Sequence, residues 1–364
     1  MRSKPLGRVV VAVLSLAIAV VVSGCVQPRP AESSPPSSVP RIPDASLHIA
    51  QSAIWAPDAS YLLADICARK FSAKDNCTLY RYRFATQTWE SLPTLAPNDD
   101  TGYQYPVFSP DGKTIAATEI GYNCNHAGCP DSKVGARLVL LDTDGKRLKY
   151  LSDNGMRLRP TFSADGKRLL YWRGDTLQGG RAIHGFWDVY EMDLATGRER
   201  QMSKFAASNI AAAPRYWPDG KRILLVALDY HIKPNREDYR HPTIPNSYTT
   251  YGGIHRSNGS VVIEPGERRV WPYFKTEGPY VWLLVRDISP DGKWAVFDSG
   301  PALMARPTAD PTGEARTLST KVRDLRSARY SPDGGKLALV PVGGGYVEIL
   351  DVATTNIQRL TIDW

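Results

Sequence analysis

A short turn motif recurs along this chain and limits the folds that the chain can adopt. Its fullest copy runs from Tyr105 to Ala116 and contains the turn Ser-Pro-Asp-Gly-Lys at 109–113. Residues in this order suit a type I turn that closes a bulged hairpin, because proline presets the backbone and glycine accepts the left-handed conformation. Apolar residues flank the turn on both sides. One copy therefore predicts two strands joined by a tight turn.

Six copies of this motif follow one another at intervals of about fifty residues, a spacing typical of propeller blades. A second pair of strands follows each copy, with turns such as 142–145 and 195–197. Two copies depart from the pattern: Ala59 stands where glycine is expected, and Ala164 replaces proline. Four strands in each of six repeats predict an all-β fold, a six-bladed β-propeller of four-stranded antiparallel blades.

The Ser-Pro-Asp-Gly-Lys hairpin, with an aromatic residue just before it, resembles the WD-like repeat of TolB-type β-propellers. The resemblance covers residues 45–364, and it implies a propeller that binds other proteins in the bacterial envelope. In TolB itself a smaller α/β domain precedes the propeller, whereas here a Pro/Ser-rich segment leads straight to the first blade. We therefore expect a relative in fold and not that protein itself, and one fold hosts many functions.

Residues 1–24 are typical of a bacterial signal peptide. A basic start precedes the apolar run Val9–Val22, which is too short to span a membrane comfortably. The run ends in Val-Ser-Gly-Cys, which resembles a lipobox and implies cleavage before Cys25 and acylation of its thiol. An ordinary secretory signal with an incidental cysteine is the alternative. Because Val26 replaces the aspartate that retains lipoproteins at the inner membrane, we expect an outer-membrane anchor facing the periplasm in a host with two membranes.

Residues 25–44 form a Pro/Ser-rich tether after this cysteine. Such a composition cannot bury a core and predicts an extended segment. Three basic residues lie in the leader, so its removal lowers the formal net charge from +8 to +5. No run of lysine and arginine is dense enough to indicate nucleic-acid binding. The expected attachment is to the membrane through the lipid, with no nucleic-acid partner.

Four cysteines remain after the one assigned to the lipid. They are Cys67, Cys77, Cys124 and Cys129, which allow three pairings. Proximity favours Cys67–Cys77 and Cys124–Cys129, and an oxidising envelope permits both disulfides. The alternative is a metal site, since His126 lies between the second pair. This spacing in an exported protein is poor evidence for zinc, and we predict no metal.

Long connections join the second and third strands of the first four blades, on the face opposite the tight turns. They comprise residues 66–77, 121–137, 174–187 and 230–251. Long loops on a rigid scaffold commonly bind partners. The fourth connection is rich in tyrosine, arginine and histidine, and tyrosine and arginine often anchor protein interfaces. We predict a protein-binding site at Tyr230, His231, Arg236, Tyr239, Arg240, Tyr248 and Tyr251. The alternative is a loop that packs against its own blade.

No catalytic constellation is evident, and we predict neither catalytic residues nor a cofactor. Turn geometry already explains the repeated aspartates, no nucleophile elbow occurs, and the six histidines are scattered. The alternative function is a small-ligand-binding or hydrolytic, lactonase-like propeller with a site at the central channel. That site would need carboxylates or amides around one ion, whereas we expect the inner strands to offer mostly apolar and aromatic side chains.

Overall fold

The computed structural model describes most strands of the predicted propeller. The described residues are 48–68, 77–93, 101–121, 136–152, 156–174, 187–203, 207–210, 212–232, 249–251, 254–263, 270–272, 284–299, 302–310, 313–322 and 324–362. The predicted signal peptide, lipid-attachment residue Cys25 and tether lie outside them, as do Cys124 and Cys129.

The prediction of a six-bladed β-propeller is confirmed. Blades 1 to 3 each contain four antiparallel strands in sequence order. Blade 1 comprises β1 (His48–Trp55), β2 (Tyr61–Ala68), β3 (Thr78–Arg83) and β4 (Thr88–Ser91); blade 2 comprises β5 (Thr101–Phe108), β6 (Thr114–Gly121), β7 (Ala136–Asp142) and β8 (Arg147–Tyr150); blade 3 comprises β9 (Met156–Phe162), β10 (Arg168–Gly174), β11 (Trp187–Asp193) and β12 (Glu199–Gln201).

Blades 5 and 6 repeat this order, and blade 4 departs from it. Blade 4 comprises β13 (Ala207–Ile210), β14 (Arg215–Tyr216), β15 (Ile223–Ile232), β16 (Thr249–Tyr251), β17 (Ile254–Ile263) and β18 (Val270–Pro272); blade 5 comprises β19 (Leu284–Ile288), β20 (Trp294–Ser299), β21 (Ala302–Pro307) and β22 (Arg316–Ser319); blade 6 comprises β23 (Leu325–Tyr330), β24 (Lys336–Pro341), β25 (Tyr346–Asp351) and β26 (Ile357–Thr361).

The inner strand of blade 4 is interrupted. Both β13 and β14 pair with β15, so two short strands occupy the place that one strand fills elsewhere. A single pair, Trp187 with Ala207, also links β11 of blade 3 to β13. The third strand, β17, additionally pairs with β16. The four-stranded plan is therefore retained in blade 4 with extra pairing at its ends.

Apolar side chains pack between neighbouring blades rather than within one central core. Six buried clusters each join two adjacent blades. The cluster that closes the ring packs Ala53 and Leu62 of blade 1 against Val340 and Val347 of blade 6. At the same interface, Trp55 Nε1 donates a hydrogen bond to the carbonyl of Arg329 at 3.1 Å. The ring thus closes by packing of blade 6 on blade 1.

Short-range hydrogen bonds close the repeated turns. In blade 2, Asp111 accepts bonds from the Ser109 hydroxyl at 2.6 Å and from the Lys113 amide at 3.1 Å. The Gly112 amide donates to the Ser109 carbonyl at 2.9 Å, with the glycine at φ 70°. These bonds hold the pKa of the Asp111 carboxyl below its usual range. The turn aspartate is therefore a structural residue. In the first copy Ala59 takes the left-handed position, at φ 58°.

The turns of successive blades also pack against one another, and we call the six turns together the tight-turn ring. The glycine of one turn lies over the proline of the preceding turn, so that a Cβ added at Gly292 would lie 2.6 Å from Pro218 Cβ. Gly220 follows the turn in which Ala164 replaces proline, and a Cβ added there would meet nothing within 4 Å. The motif thus positions neighbouring blades as well as closing each hairpin.

In the part of the chain that the structure describes, no helix has the length and apolar character needed to cross a membrane.

Candidate functional site at the central channel

A cavity of about 610 Å³ lies where the inner strands of all six blades meet. The residue three positions before the proline position of the turn lines the cavity in every blade. These side chains are Ile54, Val107, Thr161, Arg215, Asp287 and Arg329. Prolines of the tight turns, among them Pro57 and Pro110, also line the cavity. We call the cavity-lining residues of the inner strands the channel wall.

Five of the inner strands carry a one-residue bulge at the channel wall. The register of each shifts against the second strand of its blade. The bulges contain Gln51, Tyr105–Pro106, Arg159–Pro160, Arg286 and Arg326, and every one of these residues lines the cavity. A bulge re-aims a side chain that regular alternation would send elsewhere. The wall is therefore built by irregularities in otherwise regular strands.

Two of the bulges hold a residue other than glycine in the left-handed conformation. Tyr105 has φ 52° and Arg159 has φ 58°, which costs roughly 1 to 3 kcal/mol at each residue. Side chains on the second strand of the preceding blade bind both amides. Asp65 accepts from the Tyr105 amide at 3.0 Å, and Thr118 Oγ1 accepts from the Arg159 amide at 3.0 Å. Contacts between blades thus maintain these conformations.

Arginine is the most frequent charged residue of the channel wall. The lining includes Arg159, Arg215, Arg286, Arg326 and Arg329. The expectation of mostly apolar and aromatic side chains at this level was therefore wrong for blades 3 to 6. It holds in blades 1 and 2, where Ile54, Val107 and Phe108 line the cavity.

Asp287 is the carboxylate of the described channel wall. Its carboxyl is buried and forms an ion pair with Arg215, while Arg329 Nη1 lies 3.9 Å away. The amides of Tyr330 and Ile288 donate to it at 2.7 and 2.9 Å. Burial raises the pKa of Asp287, and Arg215 opposes that shift. The Asp287 carboxylate is thus the shared counter-ion of the Arg215 and Arg329 guanidinium groups.

The remaining wall arginines contact different kinds of partner. Arg286 pairs with Asp298 at 2.5 Å, and Arg326 Nη1 donates to Gln51 Oε1 at 2.8 Å. The Arg159 guanidinium lies 4.4 Å from the centre of the Tyr105 ring and donates to its hydroxyl at 3.3 Å. These contacts hold the side chains at the wall.

Asp65 lies behind the wall, on β2, and is fully buried. It accepts hydrogen bonds from the Ser52 amide at 2.7 Å and the Ser52 hydroxyl at 2.5 Å, in addition to the Tyr105 amide. Burial raises the pKa of Asp65 to about 6, and these hydrogen bonds limit the shift. Asp65 therefore links the inner strands of blades 1 and 2.

The channel is chemically suited to anions. Five guanidinium groups repel a metal cation, and guanidinium binds carboxylates and phosphates in a fork geometry. Among the described residues, no group of three or more histidine, cysteine, aspartate or glutamate side chains could hold a metal ion.

The predicted disulfide between Cys67 and Cys77 is confirmed, with 4.0 Å between the two Cα atoms. It joins Cys67, the second-to-last residue of β2, to Cys77, the residue directly before β3. Both cysteines are buried. A Cβ added at Gly102 of blade 2 would lie 2.6 Å from the Cys77 amide nitrogen. The disulfide therefore lies at the interface of blades 1 and 2.

Three of the seven predicted protein-binding residues lie within the described part of the chain, and four lie outside it. Tyr230 and His231 lie on β15, and Tyr251 lies on β16. The ends of the predicted loop are thus strands that pair with β17. Arg236, Tyr239, Arg240 and Tyr248 lie outside the described residues, and the site as a whole stays a prediction.

Comparison with known proteins relates part of the sequence to TolB. No protein-family model matches the chain. A 127-residue segment is 34% identical to the Tol-Pal system protein TolB of Rickettsia bellii and spans 35% of this chain and 23% of that protein. A 109-residue segment is 34% identical to TolB of Rickettsia felis and spans 30% of this chain and 22% of that protein. The aligned segments thus cover less than a quarter of these relatives.

Solved structures share the fold with this chain. TolB from Acinetobacter baumannii matches with a TM-score of 0.51 and 20% identity, covering 87% of this chain and 64% of that one. An oligogalacturonate lyase in complex with manganese matches with a TM-score of 0.50 and 13% identity, covering 85% of this chain and 75% of that one. At such identities the matches show the fold alone. The predicted resemblance to TolB-type propellers is confirmed by the sequence and structure comparisons together.

The arginines of the channel wall can be found in the sequence once the six copies of the motif are aligned. Each lies three to six residues before the proline position of its turn, in blades 3 to 6. Aligning the six copies on that position brings these arginines into one segment of the inner strand.

Proposed function

We propose that this protein is an envelope interaction module, anchored by a lipid on Cys25 and binding a protein partner through the face with the long connections. The resemblance to Tol-Pal system proteins supports an envelope location and a protein partner. The lipobox-like sequence before Cys25 supports an anchor at the outer membrane. The tether at 25–44 would allow the propeller to stand away from the membrane surface.

The length of the strands in blade 4 supports a binding role for this face. β15 has 10 residues, whereas the second strands of the other blades have 6 to 8. The extra residues of β15 pair with β17, which also has 10 residues and pairs with β16. The ribbon carries Tyr230, His231 and Tyr251 at its end. An extended ribbon on one blade gives a partner an asymmetric feature on a nearly symmetric ring.

Photo-crosslinking in a two-membrane host tests the proposed face. Crosslinkers at Tyr239 and Tyr248 are expected to capture one and the same envelope protein, and a crosslinker at Lys113 in the tight-turn ring is the matched control. Equal capture from Lys113 would contradict the assignment of the face. In the same cells, Cys25→Ser is expected to release the protein from the membrane fraction, and continued membrane association would exclude the lipid anchor.

A ligand site in the central channel is the second candidate function, supported by the cavity of about 610 Å³. This volume lies within the range of small-molecule sites. The metal-dependent, lactonase-like form of this candidate is disfavoured because the wall is cationic. Calorimetric titration of the full chain with calcium is expected to show no stoichiometric binding at the channel.

A further inference from the structure

We propose that the central channel binds an organic anion that carries at least two negative charges, as two or more carboxylates or as phosphate. The inference is independent of the envelope-interaction proposal, and it narrows the second candidate function to one class of ligand. It rests on the charge, the donors, the shape and the construction of the channel wall.

The charge of the wall is the first argument. Five arginines line the cavity together with one carboxylate, Asp287. Arginine remains charged at any relevant pH. Asp298 neutralises Arg286 from outside the cavity, and Asp65 lies behind the wall. If all three carboxyl groups are ionised, an excess of two positive charges remains, which two carboxylates or one phosphate monoester would balance.

Hydrogen-bond donors at the wall are the second argument. Arg215 and Arg329 share the single carboxylate of Asp287. The side chains of Arg215 and Arg329 each keep 19% of their surface exposed. Carboxylate or phosphate oxygens in the cavity can therefore accept from them in the geometry that guanidinium favours.

Aromatic side chains give the cavity its apolar part. The residue two positions before the proline position lines the cavity in four blades, as Trp55, Phe108, Phe162 and Tyr330. These rings contribute apolar surface to the cavity lining, as small-molecule sites generally do. The expected ligand therefore has an organic body and is not a bare inorganic ion.

The bulges show that the wall has a specific construction. Arg159, Arg286 and Arg326 are each bulged residues of their strands. Arg159 additionally keeps the left-handed conformation. Strained backbone of this kind persists where surrounding structure holds it and is concentrated at binding sites. These three arginines thus lie on bulges of the inner strands in three separate blades.

Isothermal titration calorimetry of the full chain at low ionic strength tests the proposal directly. The probes are tricarballylate, which carries three carboxylates, and glycerol bisphosphate, with glycerol as the neutral control. At least one anion is expected to bind saturably at one site per chain, and the affinity is expected to fall as salt is added. The preferred probe distinguishes a carboxylate ligand from a phosphate ligand. If neither anion binds saturably, the proposal is wrong.

A pair of variants at Thr161 identifies the channel as the site of binding. Thr161 lies at the same level of the wall as Arg215 and Arg329. Thr161→Glu places a carboxylate in the channel and is expected to weaken binding by at least about tenfold, whereas Thr161→Gln, of the same size, is expected to change the affinity by less than about threefold. Equal affinities of the two variants would place the binding elsewhere and overturn the proposal.

Arg329→Gln provides a second, independent test. It is expected to weaken binding by at least about tenfold. Arg359→Gln in the outer strand of the same blade is the matched control, since Arg359 pairs with Glu348 and does not line the cavity. If Arg329→Gln does not fold, the Thr161 pair decides alone. None of these outcomes depends on the crosslinking result, so failure of either proposal can be told from failure of the other.

Discussion

The tight-turn ring and the channel wall belong to the same six inner strands, and they use the repeat in opposite ways. The ring repeats one set of contacts, such as the Ser109, Asp111 and Gly112 hydrogen bonds. The wall, a few residues earlier in each strand, differs from blade to blade and contains the bulges and the arginines. Repetition therefore maintains the scaffold, and departures from it make the cavity chemically distinctive.

The comparison is sharpest at two aspartates of blade 5, where we expect the largest effect. Asp287→Ala removes the acceptor of Arg215 and of the Tyr330 and Ile288 amides, so it leaves buried donors unpaired and is expected to cost about 3 to 5 kcal/mol of unfolding free energy. Asp291 lies four residues later in the turn, accepts from the Ser289 hydroxyl at 2.6 Å and is exposed. Asp291→Ala removes an exposed acceptor and is expected to destabilise the protein much less, because water can satisfy the freed donors.

Urea unfolding of both variants measures this difference. Equal losses of stability would show that the wall carboxylate is no more important to the fold than a turn carboxylate. The distinction between the two regions would then rest on charge alone.

The next largest effect compares two glycines within the tight-turn ring itself. Gly292→Ala and Gly220→Ala both place a side chain in the left-handed conformation, which costs roughly 1 kcal/mol. At Gly292 the new methyl group would also clash with Pro218, whereas at Gly220 nothing lies within 4 Å. We expect losses of about 2 to 3 kcal/mol for Gly292→Ala and about 1 kcal/mol for Gly220→Ala.

Thermal or urea unfolding of the two variants, side by side, isolates the contact between turns. If the two losses are the same, the turns close hairpins independently and do not position neighbouring blades.

The tight-turn ring could be predicted from the sequence because its conformation is local. Proline, aspartate and glycine each impose a backbone preference within four residues, so six copies sufficed to predict six blades. The disulfide between Cys67 and Cys77 was predictable for a similar reason, since only ten positions separate the two residues. The replacement of proline by Ala164 was also visible in the sequence. Its effect, the missing contact at Gly220 in the next turn, is seen only in the structure, where adjacent turns pack together.

The channel wall could not be predicted in the same way. Period-two alternation assigns strand residues to faces, and a one-residue bulge inverts that assignment for the residues beyond it. Arg286 and Arg326 are bulged residues, so alternation gives no reliable indication that they line a cavity. The bulges depend on contacts between blades, such as that of Asp65 with the Tyr105 amide, which lie 40 residues apart in sequence.

The smallest predicted effect concerns Asp65, which connects a regular strand to the bulged wall. Its pKa is raised to about 6 in the folded protein, above the unfolded value near 3.9. The folded state therefore binds the proton more tightly, and the stability that this group contributes is present at low pH and is lost as the pH rises through 6. For this group alone, the wild-type protein gains on the order of 1 kcal/mol between pH 7.5 and pH 5.

Asp65→Asn removes this titration while keeping a side chain of the same size. The difference in unfolding free energy between wild type and variant is therefore expected to shift in favour of wild type by on the order of 1 kcal/mol from pH 7.5 to pH 5. Other titrating groups, including Asp287, are present in both proteins and cancel in this difference. Urea unfolding at several pH values measures it. A difference that stays constant over this range would mean that Asp65 titrates normally, and that the hydrogen bonds from Ser52 and Tyr105 fully offset its burial behind the channel wall.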